Sequence, residues 1–226
     1  MIEFESYLKR YGTRVILEVP KARWDNGLHL LVGPNGGGKT TLLRSLAGMI
    51  PFRGKLRLDE NIELPKQVRL QRQLINHVAA EPLFADFLTG DHLVAFFLKL
   101  KNGQPEQITE AREWLKIGDY LSQKVGTYST GMKKKLALLL ACLGNPRWLL
   151  LDEPFIGLDP EAKEGLLNLI QAKRAAGINL ALASHQPIVL EQLQPRACWR
   201  IDEGQMEPLT QAKVKYWLQR ILAEEI

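Results

Sequence analysis

Cysteine is nearly absent: Cys142 and Cys198 are the only two in 226 residues. They lie far apart in apolar company, so a disulfide framework is excluded and two buried, reduced thiols are expected. Long apolar runs are missing too. A membrane-spanning helix needs about 20 predominantly apolar residues, and the longest candidate, Leu136 to Leu143, is stopped by Gly144-Asn145-Pro146. The opening Met1-Ile2-Glu3-Phe4-Glu5 carries acids where a signal peptide has a basic end and an apolar run. A soluble, cytoplasmic chain is therefore expected, one that needs a partner for any membrane role. Histidine is scarce, four in all, and His29, His77 and His92 show no metal-ligand spacing. Neither sign of charge dominates: 30 Lys and Arg face 25 Asp and Glu, a net +5. That excess suits a protein that handles phosphates or lies near an anionic membrane face. It does not by itself indicate nucleic acid, which calls for basic residues gathered on one surface. The one conspicuous cluster, Lys133-Lys134-Lys135, is expected to form a solvated helix face.

What the chain does have is enough apolar content, 46%, for one large domain with a small insert. Short β-like runs come first: Phe4 to Leu8, Arg14 to Val19 and Lys55 to Leu58. From about Phe84 to Leu121 the pattern is mostly helical, and a helical subdomain over about 84–144 is expected inside the 1–226 domain. The last hundred residues alternate apolar strands with helices, which predicts parallel strands joined by crossovers. Leu28 to Val32, Trp148 to Leu151 and Asn179 to Ala183 are strands of the buried type. Leu42, Leu43, Leu46 and Ala47 place one apolar face on a helix over Thr41 to Ala47. Leu136, Leu139, Leu140 and Leu143 recur at i, i+3, i+4 and i+7, predicting a helix with one buried side. Asp159-Pro160 opens a further helix, with Asp as cap and Pro at the first position, and Gly177 closes it.

The chemistry is concentrated in two places. Gly33-Pro34-Asn35-Gly36-Gly37-Gly38-Lys39-Thr40 satisfies G-x-x-x-x-G-K-[ST] and stands between a strand and a helix, the context the motif requires. Glycines there let successive backbone N–H groups turn toward phosphate oxygens, and the helix N-terminus adds partial positive charge. Lys39 would neutralise the β- and γ-phosphates and the Thr40 hydroxyl would hold Mg²⁺. Further on, a buried strand ends in Asp152-Glu153. In a parallel sheet both acids emerge at the carboxyl edge, where ligands bind. Asp152 would hold the Mg²⁺ shell and Glu153 would polarise an attacking water.

With these two motifs in place the chain resembles the ATP-binding cassette (ABC) family over nearly its whole length. Asp152-Glu153-Pro154 followed by Gly157-Leu158-Asp159-Pro160 is similar to that family's Walker B and D-loop. Tyr128-Ser129-Thr130-Gly131-Met132 resembles its signature motif, Ser184-His185 its switch histidine, and Tyr11-Gly12 the aromatic that stacks on adenine. The resemblance implies a P-loop α/β fold: a mostly parallel sheet core, an antiparallel β edge and a helical insert. It implies Mg-ATP hydrolysis by two cassettes packed head to tail, with each ATP held between the cradle of one (Gly33 to Lys39, Thr40, Thr41) and Ser129, Gly131 and the D-loop Asp159 of the other. His185 would hydrogen-bond the γ-phosphate and help orient Glu153, and for in-line phosphoryl transfer such positioning supplies most of the catalysis. The implied partners are a second ABC subunit and a separately encoded membrane permease, with no nucleic acid. The implied location is the inner face of the membrane. Two other readings stay open: a soluble ABC ATPase acting on nucleic acid or ribosomes, and a slow-turnover, ATP-gated regulatory dimer.

The chain departs from the family's pattern in three ways. Thr130 and Met132 stand where the signature usually has Gly and Gln, a variant that resembles cassettes of exporter-type systems. Ile156 replaces a common Ser. At the Q-loop, aligning Glu81-Pro82-Leu83-Phe84 with the usual Gln-Glu-Pro puts Ala80 in the glutamine position, and Gln71 and Gln73 lie too far upstream to serve. Elsewhere, Phe84, Phe87, Phe96 and Phe97 are expected mostly in the core of the helical subdomain. Val214, Trp217, Leu218, Ile221 and Leu222 predict an amphipathic terminal helix packed on its own domain.

Overall fold

The computed structural model describes residues 1–59, 61–184, 186, 192–210, 212–214 and 216. Eleven strands of the described residues form one mixed sheet. The first part is antiparallel: β1 (Ile2–Tyr11) pairs with β2 (Arg14–Val19), β3 (Ala22–Trp24) and β5 (Arg53–Leu58), and β5 pairs with β6 (Ile62–Leu64). The second part is parallel, in the order β10 (Ala197–Asp202), β4 (Leu28–Val32), β9 (Asn179–Ala183), β8 (Trp148–Asp152), β7 (Ile75–Val78). Strand β11 (Gln205–Leu209) joins the halves, antiparallel to β10 and parallel to β2. The mostly parallel core with an antiparallel edge is the fold class expected.

The central strands are apolar throughout because both faces of the sheet are covered. Alternate residues of one strand enter two different cores. Leu30, Val32, Leu149, Leu151, Leu180 and Leu182 lie in one cluster; Leu31, Trp148, Leu150, Ala181 and Ala183 lie in the other. Helix α1 (Lys39–Leu46) covers the second face, with Leu42, Leu43 and Leu46 fully buried, and the short α2 (Val68–Leu74) leads into β7. On the first face lie α3 (Gly90–Leu100), α4 (Pro105–Trp114), α5 (Thr130–Ala141) and α6 (Pro160–Ala175). The segment between β7 and β8 contains α3, α4 and α5 and no strand among its described elements.

Three local features differ from what the sequence pattern suggests. Helix α5 buries Leu136 to Leu143 on every side, not one, because it is wedged between the sheet and the neighbouring helices. Strand β7 had no strand pattern in the sequence: Asn76 and His77 interrupt it, and its place comes from parallel pairing with β8, Val78 opposite Leu151. Phe84 and Phe97 pack against the core, but Phe87 and Phe96 are 74% and 60% exposed. Of the residues named for the terminal helix only Val214 is described, and it is buried; Trp217, Leu218, Ile221 and Leu222 lie outside the described residues. Cys142 and Cys198 are free and buried, and desolvation pushes their thiols up to about 12 and about 11. No described helix is long and apolar enough to cross a membrane.

Candidate nucleotide site

The carboxyl edge of the parallel strands carries the chemistry, as strand geometry requires. The glycine-rich loop runs from the end of β4 into α1, whose N-cap is Gly38. The loop presses on the end of β10. Gly33 has φ 150°, and a Cβ there would lie 2.0 Å from the Ile201 carbonyl oxygen, so any other residue would push the cradle off the sheet. The Lys39 ammonium crosses the loop and donates to the Gly33 and Pro34 carbonyl oxygens at 2.7 and 2.9 Å. Burial lowers its pKa, opposed by the charges of Glu153, Asp152 and Asp202. Asn35 and Gly36 are exposed. They border a cavity of about 670 Å³ whose wall also includes Arg14, Ile16, Asp202 and Met206.

Strand β8 delivers the two acids next to this loop. Asp152 is 1% exposed, and the neighbouring Thr40 side chain favours its charged form. Desolvation raises the Asp152 pKa, against the pull of Thr40, Lys39, Lys134 and Arg44. Its Oδ2 has no hydrogen-bond partner among the described residues, an orphaned buried acceptor that a cation would satisfy. No group of three or more His, Cys, Asp or Glu converges there among the described residues. The set fits Mg²⁺, which takes only one or two carboxylates from protein and the rest from water and phosphate oxygens. Glu153 has φ 43°, a left-handed conformation uncommon outside glycine, and its N–H donates to the Ala183 carbonyl at 2.9 Å.

The Tyr128 to Met132 segment starts α5. Ser129 is its N-cap, its hydroxyl accepting from Met132 N at 3.2 Å, and both Ser129 and Thr130 are exposed. Gly131 packs on the turn that precedes α6: a Cβ there would meet the Gly157 carbonyl oxygen at 2.8 Å. Asp159 caps α6 through Ala162 N at 2.8 Å, and Lys135 forms an ion pair with it at 2.8 Å, which holds its carboxyl below the usual range.

Residues 24–156, more than half of the chain, match the ABC transporter family. The chain belongs to it. This ABC cassette is 33% identical over 177 residues to the uncharacterized ABC transporter ATP-binding protein YxlF of Bacillus subtilis (strain 168), covering 76% of this chain and 58% of that one. It is 31% identical over 217 residues to Nod factor export ATP-binding protein I of Burkholderia orbicola (strain AU 1054), covering 90% and 68%. Among solved structures it shares its fold with the cassette MJ0796, described as dimeric, in a post-hydrolysis state and bound to ADP and Pi. That match has a TM-score of 0.76 at 18% identity, over 93% of this chain and 99% of that one. The cassette is an ATPase of the ABC type.

One residue predicted for the cassette's site stands apart from the cluster. Tyr11 ends β1, is 54% exposed, has the Lys9 ammonium 4.6 Å from its ring centroid and does not line the cavity. His185 lies outside the described residues. Gln71 is fully buried, and its amide donates to the carbonyl oxygens of Ser45 and Leu46, capping α1 far from the acids.

The lysine triplet is a correction. Lys134 is 1% exposed, not solvated, and its ammonium donates to the carbonyl oxygens of Ala79, Ala80 and Glu153, the first and last at 3.1 and 3.2 Å. Burial lowers its pKa, against Asp152, Glu153 and Glu81. Lys135 pairs with Asp159, and Lys133 lies 3.8 Å from Asp86. A signal was present: Lys134 shares an i, i+3, i+4, i+7 stripe with Ala137, Leu138 and Ala141, all buried. The adjacent lysines concealed it.

Proposed function

We propose that this cassette binds and hydrolyses Mg-ATP in a head-to-tail dimer and drives export through a separate membrane subunit. One observation carries the reading. Cradle, Thr40, Asp152 and Glu153 converge at one sheet edge, while the Ser129 cap at the start of α5 is exposed at the surface. Lys39 would pair with the β- and γ-phosphates; Thr40 and Asp152 would hold Mg²⁺, which would neutralise developing phosphate charge. Glu153 would polarise the attacking water. Ser129 and the N–H groups of α5 would meet the γ-phosphate of the opposite subunit. His185 and Asp159 belong to the same reading.

Export agrees with the Nod factor export proteins among the relatives, and with the dimeric state of a cassette of the same fold. Leu83, Phe87 and Phe96 are exposed in and after the loop that leaves β7, a surface suited to an apolar helix of a membrane partner. Such a partner would place the cassette at the inner membrane face. The paired and buried lysines leave no basic cluster for nucleic acid at α5. Pull-down in detergent tests the transport reading. Wild type should retain a multi-span protein that Phe87→Ser with Phe96→Ser loses; equal recovery by both would refute that docking face.

A further inference from the structure

An ammonium group has three N–H donors, and three carbonyl oxygens surround that of Lys134: Ala79, Ala80 and Glu153. Burying an ammonium is costly, and methionine or leucine would fill the same space at no electrostatic cost. The carbonyls belong to two loops that leave the sheet side by side, one after β7 and one after β8. Parallel pairing ends at Val78 opposite Leu151 on one side of this corner, and Lys134 takes over where the ladder stops. Glu153 is thereby held from both directions. Its N–H donates to Ala183 of β9, and its carbonyl accepts from Lys134, with the backbone at φ 43° in between. A conformation of that kind persists only where its surroundings over-determine it. The loop that meets Lys134 carries Ala80, whose methyl group can neither bind a metal nor orient water. What that loop gives the site is its backbone position.

The same helix has other anchors. Ser129 caps it, Gly131 touches Gly157, and Lys135 pairs with Asp159. Lys134 therefore connects the helix that Ser129 caps with the backbone of the acid that follows β8.

We propose that Lys134 is a positioning residue for ATP hydrolysis, fixing the Glu153 backbone and the 79–80 loop so that the Glu153 carboxylate holds the attacking water. This rests on the reading of Glu153 given above. Lys134 acts through Glu153 and touches no part of ATP, so its removal should lower kcat and spare binding.

The test uses the full chain with ATP and Mg²⁺. Lys134→Met keeps length and burial while removing the charge. It should lower kcat about ten- to hundredfold with KM for ATP within about twofold of wild type, and Lys134→Arg should recover part of the loss. Thermal unfolding is followed for each protein, and if Lys134→Met does not fold, Lys134→Gln is measured in its place with the same expectation. A folded neutral variant with wild-type kcat overturns the proposal, as does a loss carried by KM alone. Glu153→Gln is the control that separates the two readings. If it retains turnover, the assignment of Glu153 fails; if it is inactive while the neutral Lys134 variant is fully active, only the role of Lys134 fails.

Discussion

The indole N–H of Trp199 donates to Nδ1 of His29 at 3.0 Å, while His29 Nε2 lies 2.6 Å from the Asp25 carbonyl oxygen. An indole can only donate and a carbonyl can only accept, so His29 is neutral with its proton on Nε2. Trp24, Trp148 and Trp199 surround it at ring distances of 5.3, 5.7 and 6.4 Å. Burial lowers its pKa, and burial also pushes His77 down to about 4. Both folded-state values lie below the unfolded 6.5, so protonation favours the unfolded chain. The stability contribution is complete above pH 6.5 and falls as pH drops from there toward the folded-state values. Each histidine should add a slope of up to about 1.4 kcal/mol per pH unit in that window. Thermal unfolding of His29→Gln and His77→Gln between pH 7 and 4, on the scale of these pKa values, should show a shallower decline than wild type. Parallel curves would mean that neither histidine titrates on unfolding.

Lys39 is the cation that the cradle fixes, through the Gly33 and Pro34 carbonyls. Lys39→Ala should abolish hydrolysis and weaken ATP binding, as read by phosphate release and by the shift of melting temperature with ATP. An unchanged turnover rate would remove the cradle from the mechanism.

Glu153→Gln keeps the shape of the side chain and removes its charge. It should stop hydrolysis and leave ATP able to join two subunits, so gel filtration should show a dimer with ATP and a monomer without it. Ser129→Arg, placed in the exposed cap of α5, should block that dimer by bulk and charge. If Glu153→Gln stays monomeric at millimolar ATP and low salt, the head-to-tail site is wrong or requires the membrane subunit.

Tyr11 has more than half of its surface free while Lys9 approaches the ring. If adenine stacks there, Tyr11→Ala should raise KM for ATP by an amount corresponding to ~1–3 kcal/mol, and Tyr11→Trp should be tolerated. Equal KM values for wild type and Tyr11→Ala would confine the residue to a structural role.

Ala80 follows β7 at the sheet edge, and its carbonyl faces Lys134. Ala80→Gln offers the site an amide that it lacks. A modest rise in Mg²⁺-dependent ATPase rate is expected, below the roughly tenfold that a full charge-assisted hydrogen bond in the transition state would give. If instead Glu81→Ala nearly stops turnover and Ala80→Gln does nothing, the exposed Glu81 supplies that contact.

The sequence by itself determined the elements whose physics is local. The glycine-rich turn, the apolar strands β4, β8 and β9, and the Asp159-Pro160 opening of α6 are all legible because their signals lie within a few consecutive residues. The same is true of Ser129 at the start of α5, since a cap needs only the N–H groups three residues ahead. Tertiary structure alone decided what depends on distant partners. Lys134 is buried because Ala79 and Glu153, 55 and 19 residues away, converge on its ammonium. Strand β7 exists because β8 pairs with it. Gln71 is buried because the last turn of α1, about 25 residues earlier, turns free carbonyls toward it. Phe87 and Phe96 follow an apolar pattern and still face outward, because periodicity identifies a face but not whether anything covers it. His29 reads as an ordinary strand residue until three tryptophans from three other strands close around it, and only that enclosure fixes its charge.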